Sequence, residues 1–154
     1  MEPSDFMREA LRLARQAADA GEVPVGAVVA RGDDILGRGQ DRKIEMKDPT
    51  AHAEILALRD AARQHGDWRL DGCELFVTLE PCPMCAGAAL LARVARVTYG
   101  ASNEKFGAVE THIHMLEYPR WNHRVEVIRG LLEAECAEVL KVFFSGNVRN
   151  PGTK

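Results

Sequence analysis

Between residues 74 and 92 the chain passes from an apolar run, Glu74 to Leu79, through Pro81-Cys82-Pro83-Met84-Cys85 into an alanine-rich stretch. This passage constrains the fold more than any other. A short apolar run with a proline after it reads as a strand, and residues from Cys82 to about Ala92 read as a helix. Cys82 and Cys85 then lie one turn apart at the helix entrance, so both thiols can reach one ion. A helix start also favours anions, which helps both ionise.

A second passage has the same form. Asp48-Pro49 announces a helix over about 50–64, with Asp48 as N-cap, Pro49 at the first position, and Ile55, Leu58 and Ala62 facing inward. His52 and Glu54 sit near its start. His52 can supply a third ligand beside Cys82 and Cys85. Three protein ligands leave tetrahedral Zn²⁺ one open position, as in catalytic sites, where bound water becomes acidic near neutral pH. Glu54 is then the proton shuttle. Residues two apart do not share a helix face, so His52 and Glu54 converge only on a metal lying off the helix tip. Other readings stay open here. Cys82/Cys85 could be a redox pair, or a structural zinc site with a fourth ligand from Cys73, Cys136, His65, His112, His114 or His123. The bland reading of His112 and His114 is as loop or surface residues, and of Cys73 and Cys136 as small buried hydrophobes.

The rest of the chain supplies more elements. Residues 5–20 repeat apolar positions at helical spacing and end at Gly21. Val25 to Ala30 reads as a strand covered on both faces. A turn at 31–34 leads to a hairpin partner over 35–39, residues 41–47 read as a loop, and Val94 to Tyr99 as a strand. Residues 101–122 lack a clear period. Val125 to Ile128 reads as an edge strand and Leu131 to Phe144 as a helix, followed by a frayed tail over 145–154. Strands alternating with helices predict an α/β sandwich with a mixed sheet. With 154 residues and no repeat or long linker, the expectation is one domain over 1–154.

Composition narrows the class. The chain is 46% hydrophobic and has 20 basic against 23 acidic residues, which excludes disorder and a bulk basic coat. No apolar run approaches the ~18 residues of a membrane span. Met1 to Ala10 carries four charged side chains (Glu2, Asp5, Arg8 and Glu9) and does not read as a signal peptide. Four cysteines without such a peptide fit the reducing cytoplasm.

The stretches Glu22-Val-Pro-Val-Gly-Ala27, Asp48-Pro-Thr-Ala-His-Ala-Glu-Ile55, Thr78-Leu-Glu-Pro-Cys82, Met84-Cys-Ala-Gly-Ala88, Tyr99-Gly-Ala101 and Asn122-His-Arg-Val-Glu126 resemble the TadA-like bacterial tRNA adenosine deaminases of the cytidine deaminase-like superfamily. Its zinc signature, H-x-E … P-C-x-x-C, is that of base deaminases. The resemblance implies a three-layer α/β/α sandwich with a mixed five-stranded sheet, and a homodimer. It implies one Zn²⁺ per chain on His52, Cys82 and Cys85, with Glu54 moving protons. It also implies conversion of adenosine to inosine at the wobble position of tRNA, with Ala53, Pro81, Asn103 and Phe144 among the substrate contacts. The chain departs from the pattern where substrate is read. Those enzymes carry an Asn at the position of Asp41, and a carboxylate only accepts hydrogen bonds, so Asp41 would repel an acceptor nitrogen of adenine unless protonated, turned away or water-bridged. Asn103 stands where an Asp is common, and the basic tail is reduced to Lys141, Arg149 and Lys154. These departures motivate an alternative: a deaminase of a free small heterocycle such as guanine.

Overall fold

The computed structural model describes residues 1–146. Helix α1 (Pro3–Asp19) precedes a hairpin of β1 (Gly26–Arg31) and β2 (Asp34–Gln40). A short helix α2 (Lys43–Met46) follows, then α3 (Ala53–His65), β3 (Glu74–Leu79), α4 (Pro83–Ala92), β4 (Arg96–Ala101), a 3₁₀ turn (Met115–Glu117), β5 (Glu126–Arg129) and α5 (Glu133–Gly146). The strands form one five-stranded sheet in the order β2-β1-β3-β4-β5. The β1 strand pairs antiparallel with both β2 and β3, whereas β3–β4 and β4–β5 are parallel, so the sheet is mixed.

Alternation along the strands explains the three layers. Ala27, Val29, Leu75, Val77 and Val97 project to the face covered by α3 and α4. Val28, Ala30 and Phe76 project to the other face, onto Phe6, Met7, Ala10 and Leu11 of α1 and Cys136 of α5. Central strands buried on both sides need such near-continuous apolar runs.

The small residues of β2 set where α3 lies. A Cβ on Gly37 would sit 2.3 Å from the Ala57 carbonyl oxygen, and one on Gly39 would sit 2.3 Å from that of Ala53. Helix α3 therefore rests directly on the strand backbone, with Ala53, Ala57 and Ala61 as its contact stripe. This corrects the expected inward face: Leu58 is buried, but Ile55 and Ala62 are only half-buried.

The start of α3 is a second correction. The helix begins at Ala53, not near Thr50, and its N-cap is His52 rather than Asp48. Asp48 Oδ1 instead accepts from the Thr50 N–H (2.8 Å) and hydroxyl (2.7 Å), an Asx turn before the helix. Residues 41–47 hold α2 rather than plain loop. Its Ile44 and Glu45 N–H groups donate to the buried Glu22 carboxylate at 3.0 and 2.8 Å. Ser145 and Gly146 belong to α5; the rest of the expected tail, with Arg149 and Lys154, lies outside the described residues. No helix among the described residues is long and apolar enough to cross a membrane.

Candidate active site

Strands β2 and β3, both antiparallel to β1 between them, run the same way, so α3 and α4, which follow them, enter at the same end of the sheet. His52 and Cys82 are the N-caps of the two helices, both with extended backbone (ψ 153 and 174), which turns their side chains off the helix axes toward each other. Cys85 lies in the first turn of α4. His52 Nδ1 is 3.6 Å from Cys82 Sγ and 3.4 Å from Cys85 Sγ. The three ligand atoms all lie within 4.8 Å of one another, and among the described residues this is the one such group of three. A tetrahedral zinc with Zn–S of about 2.3 Å and Zn–N of about 2.0 Å sets N and S ligands about 3.5 Å apart. The observed separations match, so the donor set fits the ion. Because His52 stands before the helix and Glu54 inside it, the difficulty of two residues two apart disappears.

Glu54 is 4% exposed, and burial pushes its carboxyl up to about 7. Cys82 is pushed down to about 4, first by the Cys85 thiol bonded to it and then by His52. Cys85 is pushed up by the same contact with Cys82. The hydrogen bond to Cys82 raises His52. Cys82 thus carries the thiolate character of the pair, and Cys85 is the thiol that hydrogen-bonds to it.

A small cavity of about 100 Å³ adjoins the triad, with Asp41, Lys43, Ala53, Glu54, Asn103 and Phe106 in its wall. It opens into a wider groove of about 680 Å³ bordered by Lys43, Lys105, Phe106, Leu140 and Phe144. Of the substrate contacts expected from sequence, Asp41, Ala53 and Asn103 reach the small cavity and Phe144 the groove. Pro81 is buried beneath the loop, its carbonyl accepting from the Ala108 N–H (2.9 Å), and is not among the lining residues. Phe143 is buried, while the half-buried Phe144 packs edge-on against it at 5.2 Å.

A model of the MafB19-like deaminases matches residues 1–146. The tRNA-specific adenosine deaminase of Streptococcus pyogenes serotype M1 is 46% identical over 143 residues, covering 93% of this chain and 84% of the relative. The chain belongs to the MafB19-like deaminases, in the tRNA-specific adenosine deaminase group. A solved structure from work on A-to-I editing by tRNA:A34 deaminases superimposes with a TM-score of 0.85 at 45% identity, over 88% of this chain and 99% of the other. A guanine deaminase from Nitrosomonas europaea is more distant, with a TM-score of 0.77 at 28% identity over 94% of this chain and 85% of the other.

In this deaminase the expected Asp41 is not a solvated loop residue. It is 2% exposed, its N–H donates to the Val25 carbonyl (3.1 Å), and its carboxylate pairs with Lys43. Asn103 holds a turn: Oδ1 accepts from the N–H of Lys105 (3.2 Å) and Phe106 (3.0 Å), and Nδ2 donates to the Glu80 carbonyl (3.4 Å). His112 meets the Glu104 carbonyl at 2.6 Å and His114 meets the Glu117 carboxylate at 3.2 Å, both away from the triad. Cys73 and Cys136 are buried.

Glu80 is a participant that sequence reading passed over. It is 1% exposed at the end of β3. Its Oε2 accepts from the N–H of Val109 (3.1 Å), Glu110 (2.8 Å) and Thr111 (2.9 Å). Its Oε1 accepts from the Asn103 N–H (3.1 Å) and from the Thr111 hydroxyl. A Cβ on Gly107 would lie 2.5 Å from this carboxylate, so only glycine fits there. Burial alone would raise Glu80, but the bonds from Thr111, Glu110 and Asn103 outweigh it and hold the group below the usual carboxylate range. The loop that walls the cavity is thus tied to β3 through one side chain. The available signal was a charged residue at the end of an apolar strand, just before Pro81.

Proposed function

We propose that this chain converts adenosine to inosine at the wobble position of tRNA, replacing the exocyclic amine by oxygen and releasing ammonia. The observation that carries the reaction type is the His52–Cys82–Cys85 triad beside a buried Glu54 in a cavity. Similarity to tRNA-specific adenosine deaminases along nearly the whole described chain supports the substrate. His52 Nδ1, Cys82 Sγ and Cys85 Sγ would hold one Zn²⁺ per chain, which when bound supplies the Lewis acidity that makes water a nucleophile at neutral pH. Glu54 takes a proton from that water and gives one to the ring nitrogen beside the carbon under attack. It then takes the proton of the newly added hydroxyl and gives it to the departing amine, so water and the aminated ring become the carbonyl and ammonia. Burial favours the protonated form of Glu54, which lets it hold the proton between the two transfers.

Ala53 and Asn103 flank the base. Phe106 and Phe144, with Lys105, suit an unstacked nucleotide strand, since aromatic faces stack on bases and an ammonium group meets phosphates. Residues 1–154 act as one deaminase domain. An apolar groove of about 830 Å³ along α3 and α4, bordered by the exposed Trp68, Leu91 and Trp121, supports a homodimer through this face. Work on tRNA and four free cysteines support a cytoplasmic location.

The buried carboxylate of Asp41 in the cavity wall favours one second reading, deamination of a free ring such as guanine that can donate to it. The test is ammonia release by zinc-loaded protein on an anticodon stem-loop with adenosine at the wobble position, against free adenine, guanine and cytosine. Inosine in the stem-loop is expected. Turnover on a free ring alone would replace the first reading with the second.

A further inference from the structure

Asp41 poses a chemical problem that Lys43 solves. The ring nitrogens of adenine other than the glycosidic one are all acceptors. A bare carboxylate in the pocket wall would face them with lone pairs only. Here the carboxylate is already engaged. One oxygen pairs with the Lys43 ammonium and the other accepts from the Lys43 N–H at 3.4 Å. The Asp41 side chain is 3% exposed, whereas that of Lys43 is 30% exposed. Lys43 also borders both the small cavity and the wider groove. Its backbone is firm, because Glu22 holds the next two N–H groups of α2. The cation–carboxylate pair therefore presents its donor half to the cavity, and three ammonium hydrogens exceed what Asp41 alone can take.

We propose that Lys43, held over the cavity by Asp41, donates a hydrogen bond to an acceptor nitrogen on the base edge away from Glu54, N7 or N3, and that Asp41 is its positioning residue. This assignment rests on the tRNA adenosine reading above and names the group that recognises the purine. It also turns Asp41 from an obstacle to adenine into part of the device that accepts it.

The test crosses enzyme variants with substrate analogues. Zinc-loaded wild type and Lys43→Met are each assayed on stem-loops carrying adenosine, 7-deazaadenosine or 3-deazaadenosine at the wobble position. Replacing a ring nitrogen by C–H also changes the reactivity of the ring, but this cancels in the ratio of ratios. A charged hydrogen bond of this kind gives a loss of kcat/KM of about 10- to 100-fold. Wild type should lose that factor at one of the two deaza positions, and Lys43→Met should lose it on adenosine while becoming insensitive to the same deaza change. The double variant Lys43→Met/Asp41→Asn should recover most of the loss, because the amide restores a donor at the wall.

A uniform loss of Lys43→Met on all three stem-loops, easing with added salt, would show a phosphate contact and overturn the proposal. So would a wild type indifferent to both deaza changes, a result that needs no variant to fold. If wild type turns over a free ring but no stem-loop, the tRNA reading fails. The same two deaza comparisons on that ring then decide the role of Lys43 separately.

Discussion

Glu80→Gln removes a charge and little else, which makes it the sharpest probe of how the pocket wall is held. Five donors converge on this carboxylate, four backbone N–H groups and one hydroxyl. Glutamine keeps one acceptor oxygen. Turned toward Val109, Glu110 and Thr111, that oxygen keeps three bonds without their charge, each weakened by about 1 kcal/mol. The amide nitrogen then faces Thr111, whose hydroxyl can reverse, and the Asn103 N–H, which cannot. A buried unsatisfied N–H costs about 1–3 kcal/mol. Relief from burying a charge offsets part of the sum. The net expectation is a loss of about 2–4 kcal/mol, which for a chain of this length lowers Tm by roughly 5–15 °C.

The assay is urea unfolding of wild type and variant across pH, with zinc content and steady-state kinetics in parallel. The folded-state pKa of Glu80 is depressed, so its stabilisation is fully present above the unfolded value of about 4.3 and is lost as pH falls through the folded one. The stability gap between the two proteins should be flat from pH 6 to 8 (roughly the working range) and should close below about pH 4. Zinc should stay bound, since none of its ligands lies on this loop, while KM rises several-fold because Asn103 and Phe106 border the cavity. A gap under about 0.5 kcal/mol at pH 7, the size of an ordinary surface change, would refute the reasoning.

Cys82→Ala or Cys85→Ala should remove zinc and activity together; one zinc per chain by elemental analysis after either change would contradict the ligand set. Glu54→Gln should lower kcat by about 10²- to 10⁴-fold with zinc retained, and unchanged turnover would sink the shuttle. In metal-free protein the folded-state pKa of Glu54 is raised from 4.5 to about 7, so its share of stability is present below 4.5 and is lost as pH rises through 7, a slope that Glu54→Gln should flatten in urea titrations. Gly39→Ala sets a Cβ 2.3 Å from the Ala53 carbonyl, and overpacking of this kind costs about 1–3 kcal/mol. By displacing the residue after His52 it should also weaken zinc retention in chelator competition more than Gly37→Ala, which strikes the helix one turn later.

Much of the site was legible because it is local. His52, Glu54, Cys82 and Cys85 announce themselves by spacing at two helix entrances, and the strand runs carry their burial in their composition. The start of α3 was misplaced because Asp48-Pro49 has the chemistry of a cap, but Asp48 spends it on Thr50 in a turn. The inward face of α3 was shifted because the strand beneath it is glycine, so alanines rather than larger residues make the contact. Glu22 and Glu80 were not legible as organisers because their donors lie 22 to 31 residues away. Such pairings exist only once the sheet has formed. Asp41 was legible as a departure, but its pairing with Lys43 depends on α2, a helix of four residues too short to show a period.

Glu54 and Glu80 are the same residue type, both buried, within one site, and burial pushes both toward the neutral form. What separates them is the supply of hydrogen-bond donors. Glu80 sits where a glycine loop folds its N–H groups inward, and five donors hold it ionised. Glu54 accepts only from its own backbone N–H and from Cys85, so in metal-free protein burial prevails and its carboxyl moves to about 7. An acid fixed in its charge can hold a loop but cannot exchange protons near neutrality. An acid balanced near 7 can exchange them, and would be a poor anchor for a loop at the same pH. The division of labour between structure and proton transfer is therefore set by the backbone around each carboxylate. Exchanging the two roles would require rebuilding the 103–111 loop, not substituting either glutamate.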